Sequence, residues 1–589
     1  MDQQRQRPVA VYNRAVRSAN ILLLVGVSVL TFFVGIGLPA ISDSDEAFYA
    51  QAGREMIESG DWLTPRFNGL YRFEKPVLFY WLTALCYLLI GVTETAARAP
   101  SAVAGILLAL ATYGCARRWY DPSTALLAGT ITATSFGYTA TARQALPDLA
   151  LACFITVATW AALVALVAPR PSGPDPARRL WLTLSGFAIA GGFLTKGPVG
   201  VVLPGLVVGP LALWRCYSEV CLSKDTPWSP PRKLFGDLMY LSILSLALAA
   251  PWFVGMTANH GTSYLDRFFI AENLQRFATE RYNAPRPIWY YFPIVVGGLF
   301  PWSPLMLLWS RSLRGLLNRV RHIQPTEIWL GAWALTPLLF YSVSIGKQPR
   351  YILPILPPLA ILIARALSRS LNPTESPRRC DFLTIATVSS GAVLILLGGL
   401  ILRAHVLLPA VSPASMQLAA AVIVGSGTGV VMIALSSLKR FIPIALTVAS
   451  ILTTLTVHSV VLAGVEPEPV QEMAAMVRSA GPESLPYGRY RVFVRNLIFY
   501  TGRPHVDLAS EEQVRVFLES SEPVLCVIAE ADLARVVTPT MPVYELGRVE
   551  YLNTGALTLR ALLWPDPMKD IQTVLLVTNR PPNSLGTAL

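Results

Sequence analysis

The sequence predicts an all-α polytopic membrane protein of about thirteen transmembrane helices, ending in a small soluble α/β domain. Three observations carry this. Over 589 residues the chain is 53% hydrophobic and only 14% charged, well below the roughly 25% charge of an ordinary soluble domain. Apolar runs of roughly 17–25 residues recur along it, enough to cross about 30 Å of hydrocarbon as helices. Lys and Arg gather in the short connections between those runs, and the runs stop after residue 463.

Taken in order, residues 1–18 form a basic arm (Arg5, Arg7, Arg14, Arg17) that the positive-inside rule places in the cytoplasm. The run 19–39 is longer than the ~7–15 apolar residues of a signal core and no small-residue cleavage site follows, so it reads as a retained span. A polar stretch, 41–75, then leaves the membrane on the outer face. Further apolar runs lie at 76–91, 98–116, 123–141, 148–168, 180–195, 198–214, 235–256, 288–309, 326–345, 349–366, 383–402, 416–436 and 441–463. The basic groups Arg117/Arg118, Arg178/Arg179, Arg311/Arg314/Arg319/Arg321, Arg378/Arg379 and Lys439/Arg440 mark cytoplasmic loops. That arrangement places the turns near 142–148, 196–197, 257–287, 346–350 and 403–415 outside. Its parity conflicts with the N-terminal arm between residues 76 and 116, so the short run 76–91 is read as not crossing fully. The resulting domains are a cytoplasmic arm (1–18), a transmembrane domain (19–463, with outer loops 41–75 and 257–287) and a soluble outer domain (464–589).

In that last domain Glu466 to Pro469 (EPEP) breaks the final span. Val470–Ser479 is expected to be helical, with strands at Arg491–Tyr500, Pro523–Ala529 and Gly555–Leu562. Read by itself, it is a cap without chemistry of its own.

The formal charge of +12 does not indicate a nucleic-acid partner, because the basic residues sit in alternate inter-helix loops. Seven cysteines include no CxxC pair, and Cys526 stands alone in the soluble domain, which removes a disulfide framework there. There is no P-loop, no G-x-S-x-G elbow and no H-E-x-x-H motif, and His260, His322, His405, His458 and His505 are scattered.

Candidate chemistry gathers on the outer face. Asp43 to Trp81 packs Asp43, Asp45, Glu46, Glu55, Glu58, Asp61 and Glu74 with Arg54, Arg66, Arg72 and Lys75 between two apolar runs. Arg143 and Asp148, Lys196, and Lys347 with Arg350 fall at turns on the same side. Ionisable groups at span ends are costly and often functional, though each has a structural alternative. Lys196 can snorkel to the interface, Arg143 and Asp148 can pair, and Tyr80 and Trp81 can be interfacial anchors. Lys75 or Arg350 suits a lipid phosphate. Asp45 suits a carboxylate that takes a proton from a hydroxyl acceptor, or orients the acceptor where no deprotonation is needed.

The acidic pair Asp45-Glu46, then GDWLTPRFNG (60–69), then FEKPVLFYW (73–81), resembles the ArnT-like branch of the membrane glycosyltransferases of the C fold (GT-C), relatives of the protein O-mannosyltransferases. RAPSAVAG (98–105), ARQALPDLAL (142–151), GGFLTKGP (191–198), ENLQRF (272–277) and GKQPRYILPILPPLA (346–360) extend the likeness.

The resemblance implies a polyprenyl (undecaprenyl) phosphate-linked sugar as donor and lipid A or another envelope glycan or lipid as acceptor. It also implies an inverting transfer on the periplasmic face of a bacterial inner membrane, by a monomer among membrane lipids. Asp45 and Asp148 match the essential carboxylates and Lys75 the lysine beside the donor phosphate. Arg350 and Tyr351 match the segment lining the lipid cavity, and Glu46, Tyr80, Arg143, Lys196 and Lys347 complete the expected substrate-binding set. Phe48 replaces the arginine of DExRY, and Val77 the second proline of KPPL. Asn273 stands where the family's histidine can share zinc with the FEKP glutamate. Asparagine is a poor zinc ligand, so Glu74 is expected to lack a metal, to bond Asn273 or the loop backbone, and no cofactor is expected. Two other readings are a protein O-mannosyltransferase of the same fold and a lipid-linked sugar flippase or transporter. Internally repeated halves would mark a transporter, and none is visible.

Overall fold

The computed structural model describes residues 2–169, 176–222, 229–280, 285–309, 324–372, 377–408, 410–539, 541–553 and 558–582. The basic group at 311–321 lies outside them.

Helix α1 (Asp2–Phe32) runs through the arm and the first apolar run as far as Phe32. The chain then turns through 33–44 into α2 (Asp45–Ser59), a hairpin of β1 (Arg66–Phe67) and β2 (Leu70–Tyr71), and α3 (Leu78–Ile90). Bundle helices follow: α4 (Glu94–Trp119), α5 (Pro122–Thr134), α6 (Phe136–Ala142), α7 (Asp148–Ala162), α8 (Pro176–Lys196), α9 (Val199–Leu222) and α10 (Ser229–His260). Later helices span Pro325–Val343, Leu356–Ser370, Pro377–Ala404, Pro413–Leu435 and Ile442–Thr456.

Among the described residues, eight helices are long and apolar enough to cross a membrane, and Val16–Phe32, Leu78–Ile90 and Ile288–Gly298 are shorter apolar helices. The protein is therefore a multi-pass membrane protein. At about 1.5 Å per residue, α3 with its 13 residues is roughly 20 Å long, short of the ~30 Å hydrocarbon.

Two expected spans are broken. The run 123–141 divides at Ser135, whose backbone is extended, and Phe136 N–H donates to Phe300 O (2.9 Å). The run 288–309 divides into a helix Tyr291–Gly298 and a 3₁₀ turn Ser303–Leu308. Each break faces the other, so the backbone groups each one frees find partners inside protein rather than lipid.

The C-terminal domain is a mixed five-stranded sheet: β3 (Tyr487–Tyr490), β4 (Val506–Leu508), β5 (Leu525–Ala529), β6 (Tyr544–Leu552) and β7 (Ile571–Thr578), in the order β4-β3-β5-β7-β6. β3 is parallel to β4 and β5, and the β5–β7 and β7–β6 pairs are antiparallel. Helix Pro469–Ser479 packs on one face through Val470, Met473, Ala474 and Val477, with Ala40 in the same cluster. Helices Glu511–Leu518 and Glu530–Val536 cover the other.

Two expected strands are corrected. Arg491–Tyr500 is not a strand: Arg491 and Phe493 have φ of 59° and 47°, which a β-strand does not accommodate, and Leu497–Thr501 is helical. In Gly555–Leu562, residues 554–557 lie outside the described set, and Leu559–Leu563 is a helix capped by Thr558, whose hydroxyl accepts from Ala561 N.

A buried ion pair fixes the loop after α1. Arg98 donates from Nε to Glu46 (2.7 Å) and from its Nη atoms to Ile36 O (2.8 Å), Pro39 O (2.7 Å) and Ala40 O (2.8 Å). Glu46 also accepts from Ser42 N (2.9 Å) and Ala145 N (3.0 Å). Removing one partner of a satisfied buried pair strands the other charge. Arg98→Leu is therefore expected to lower stability by about 3–5 kcal/mol, read as a large fall in the unfolding temperature of purified protein.

Candidate active site

Five charged side chains, brought from five elements, converge where the helices meet their connecting segments. Ser44 caps α2, its hydroxyl accepting from Glu46 N (3.2 Å), and this places Asp45 at the first helical position, where the helix dipole favours a carboxylate. Asp148 holds the same position on α7, following Pro147. Lys196 is the last residue of α8, the end that favours a cation. Gly197, with φ of +87°, turns the chain sharply just after it. Arg350 lies on a 3₁₀ turn, Pro349–Ile355. That turn is held by a close approach at Gly346, where a Cβ would fall 2.0 Å from Arg276 O. Lys75 follows the β1–β2 hairpin, whose turn residues Asn68 and Gly69 both have positive φ (53° and 75°), as tight hairpins require.

Arg350 bridges the two carboxylates: Nη2 lies 2.7 Å from Asp45 Oδ2, and Nη1 3.6 Å from Asp148 Oδ2. Asp148 Oδ1 also receives Lys196 Nζ at 2.5 Å, and the Lys196 ammonium sits 4.7 Å over the Tyr351 ring. Burial pushes the Asp45 carboxyl up, but Arg350, through charge and hydrogen bond, outweighs it and holds the group below its ordinary value. Asp45 is thus ionised at neutral pH.

Lys75 differs from the other cations. It is buried, donates to Glu74 O (3.0 Å) and, among the described residues, makes no ion pair. Burial, then the like charges of Arg276, Lys196 and Arg72, push its amine down to about 7, with Glu272 offsetting only part. A buried amine among guanidinium groups is set to receive an anion from outside.

Other expected residues fall elsewhere. Glu46, expected to bind substrate, is buried in the ion pair with Arg98, next to Asp45 in the chain. Arg143 does not pair with Asp148; it donates to Thr31 O (2.7 Å) and Val34 O (2.5 Å) and closes the end of α1. Lys347 is turned onto backbone, donating to Ser344 O and Arg286 O. Tyr80 accepts from Arg72 Nε (3.0 Å) and stacks on Tyr49 with ring centroids 5.2 Å apart, so it reaches the site through Arg72. Arg72, a basic residue of the 43–81 stretch to which the sequence assigns no role, holds its guanidinium 4.0 Å over the Phe48 ring and 3.7 Å from Glu74.

The expected bond between Glu74 and Asn273, at the position where the family's histidine can share zinc, is not formed. Glu74 faces Arg72 and Arg267 (3.5 Å) rather than Asn273, and Asn273 donates to Phe268 O (2.7 Å). Among the described residues no group of three or more His, Cys, Asp and Glu is placed to hold a metal. These residues do not fit zinc.

Comparison with known proteins agrees with this architecture. Residues 13–258 match the family model described as dolichyl-phosphate-mannose-protein mannosyltransferase. The chain is 37% identical over 334 residues to a Pseudomonas paraeruginosa protein named undecaprenyl phosphate-alpha-4-amino-4-deoxy-L-arabinose arabinosyl transferase, covering 56% of each. It is 34% identical over 372 residues to an Edwardsiella ictaluri protein of the same name, covering 63% of each. In sequence the chain thus spans somewhat more than half the length of the curated relatives it matches. The crystal structure of ArnT from Cupriavidus metallidurans bound to undecaprenyl phosphate superposes with a TM-score of 0.73 at 23% identity, over 97% of this chain and 99% of that one. Over nearly its whole length this chain shares the fold of that ArnT structure, and over more than half of it its sequence is similar to the Pseudomonas and Edwardsiella relatives.

Proposed function

We propose that the protein is a glycosyltransferase that moves a sugar from a polyprenyl (undecaprenyl) phosphate to lipid A or another envelope acceptor, with inversion. Its site faces the periplasm of a bacterial inner membrane, and it works as a monomer. The observation that carries this is the pair of carboxylates joined through Arg350, with the buried Lys75 amine close by, where a lipid head group meets the membrane surface. The names of the Pseudomonas and Edwardsiella relatives, and the undecaprenyl phosphate bound in the Cupriavidus structure, support this donor class.

In such a transfer the bond between the anomeric carbon and the phosphate oxygen breaks. The leaving phosphate gains charge, which Arg350 and Lys75 are placed to stabilise. The acceptor oxygen bonds to the opposite face of the same carbon. Where the acceptor is a hydroxyl, its proton passes to Asp45 as the new bond acidifies it. Where it is a phosphate there is no proton to remove, and Asp45 orients the acceptor instead. Asp148 holds Lys196 and Arg350 in place.

Purified protein given an undecaprenyl-phosphate-linked sugar and lipid A is expected to add the sugar's mass to the acceptor and release undecaprenyl phosphate. Translocation of the lipid-linked sugar across proteoliposomes without any transfer would overturn the reading. The mannosyltransferase family match favours a second acceptor class, the protein hydroxyl, which labelled peptide acceptors in the same assay would reveal. Mass spectrometry of envelope lipids from cells with and without the gene would name sugar and acceptor together.

Lys75 carries a pH prediction. A lysine held near 7 is charged below that pH and neutral above it, and a bound phosphate favours the charged form. Affinity for the phosphodiester donor, whose own charge is constant, is therefore expected to fall between pH 6 and 9, approaching about tenfold per unit above 7. Lys75→Arg, charged throughout, should lose that slope, and Lys75→Ala should bind weakly at every pH. A wild-type titration that is flat with pH would count against the assignment.

A further inference from the structure

The C-terminal domain reaches into the site. After β3, residues 494–500, which run into the helix Leu497–Thr501, are fastened to the stretch that carries Asp45. The Asp43 carboxylate accepts from Val494 N (2.8 Å) and Arg495 N (2.7 Å), and Asn496 Nδ2 donates to Ile41 O (3.0 Å). The Tyr500 hydroxyl accepts from Ile41 N (2.7 Å) and donates to Glu94 (2.9 Å), while Arg54 donates to Phe499 O (3.1 Å). These bonds hold the backbone that carries Arg495, whose guanidinium carbon lies 5.0 Å from the centre of the Phe48 ring.

Phe48 stands three residues after Asp45 on α2, a spacing that puts both on one helix face. The same ring carries Arg72 at 4.0 Å. Arg495 is half-buried, and among the described residues its guanidinium makes no hydrogen bond or ion pair. Its charge nevertheless reaches Asp45, where it adds to Arg350 in favouring the ionised carboxylate. A guanidinium held against an aromatic ring keeps its N–H edge free for a planar, bidentate anion, and stacking removes much of the freedom it would otherwise lose on binding. Among the described residues the other cations gathered here have ion-pair partners: Arg350 two aspartates, Lys196 Asp148, Arg276 Glu272, and Arg72 Glu74, with Tyr80 as a further hydrogen-bond partner. Among the described residues Lys75 and Arg495 have no ion pair.

We propose that Arg495 is a substrate-binding residue that grips a phosphate group of a lipid-borne substrate, so that the C-terminal domain takes part in recognition. This rests on the glycosyl-transfer reading. The phosphate belongs either to the donor, joining lipid and sugar, or to an acceptor glycolipid, and the two sources separate experimentally.

The test uses the full-length protein in nanodiscs, comparing wild type, Arg495→Ala and Arg495→Lys. It measures KM for donor and acceptor separately, kcat, direct binding of undecaprenyl phosphate and of lipid A, and thermal unfolding. Arg495→Ala is expected to raise one KM about tenfold or more, with kcat and unfolding temperature nearly unchanged, and Arg495→Lys to recover part of the loss. A raised donor KM with weaker undecaprenyl phosphate binding assigns the donor phosphate. A raised acceptor KM with weaker lipid A binding assigns the acceptor. Unchanged KM values and binding for both ligands overturn the proposal. If the wild type transfers no sugar to any acceptor, the underlying reading fails, and the two binding comparisons still decide whether Arg495 holds a phosphate.

Discussion

Asp45→Asn is expected to lower the rate of sugar transfer by a factor of about 10²–10⁴ while leaving the unfolding temperature close to that of the wild type. The substitution keeps the size of the side chain, and Ser44 rather than Asp45 caps α2, so the helix start survives. What is lost is a negative charge 2.7 Å from Arg350. Two consequences follow. A hydroxyl acceptor loses the group placed to take its proton, and Arg350 is left with Asp148 alone, shifting the cation meant for the leaving phosphate. Because Arg350 holds the Asp45 carboxyl below its ordinary value against the effect of burial, the group is ionised well into the acid range. The wild-type rate should therefore show no acid limb from Asp45 between pH 5 and 7. A base this weak can act only as the forming bond acidifies the hydroxyl. A variant that also retained donor binding but lost turnover would place the defect in the chemical step. Unchanged turnover in Asp45→Asn would sink the assignment of this carboxylate.

The residues that make up this site were legible in the sequence for one reason: each is an ionisable group at the edge of an apolar run, where a charge without a partner is costly. Asp45, Lys75, Asp148, Lys196 and Arg350 are picked out on that ground together with Arg143 and Lys347, the resemblance supplies the expected roles, and the structure brings the first five together. Their partners did not stand out. Asp45 pairs with Arg350, Asp148 with Lys196 and Arg350 rather than its near neighbour Arg143, and Glu46 with Arg98. These pairings depend on how helices pack over separations of 48 to 305 residues, which no local pattern encodes.

The same limit explains the missed breaks in the bundle. Apolarity reports that residues 123–141 and 288–309 are lipid-compatible, not whether the backbone stays helical. The Phe136 N–H bond to Phe300 O is what lets both runs break inside protein. In the C-terminal domain, RVFVRNLIFY has the apolar content of a strand. Its backbone amides at Val494 and Arg495 instead bond the Asp43 carboxylate across the domain boundary. The arginine that this contact delivers to the site lies some 450 residues from Asp43, and nothing in its neighbourhood marks it.

Asp148→Ala carries the second large expected effect, and it separates structure from chemistry. The carboxylate is nearly buried, with Lys196 at 2.5 Å and Arg350 at 3.6 Å. Removing it leaves two cations facing one another with Asp45 as the remaining acid. Loss of one member of such a buried group costs about 3–5 kcal/mol, so a marked fall in unfolding temperature is expected, together with a loss of transfer of about 10² or more. Adding Lys196→Met removes the stranded ammonium with a chain of similar length. The double variant should regain about 0.5–3 kcal/mol of stability relative to Asp148→Ala, the usual size of coupling between contacting residues. Transfer should not return with it, because Arg350 still lacks the second carboxylate that aims it toward the leaving phosphate. If stability and transfer recover together, Asp148 serves only to neutralise Lys196. If Asp148→Ala alone keeps both its stability and its turnover, the bridge through Arg350 is not part of the working site.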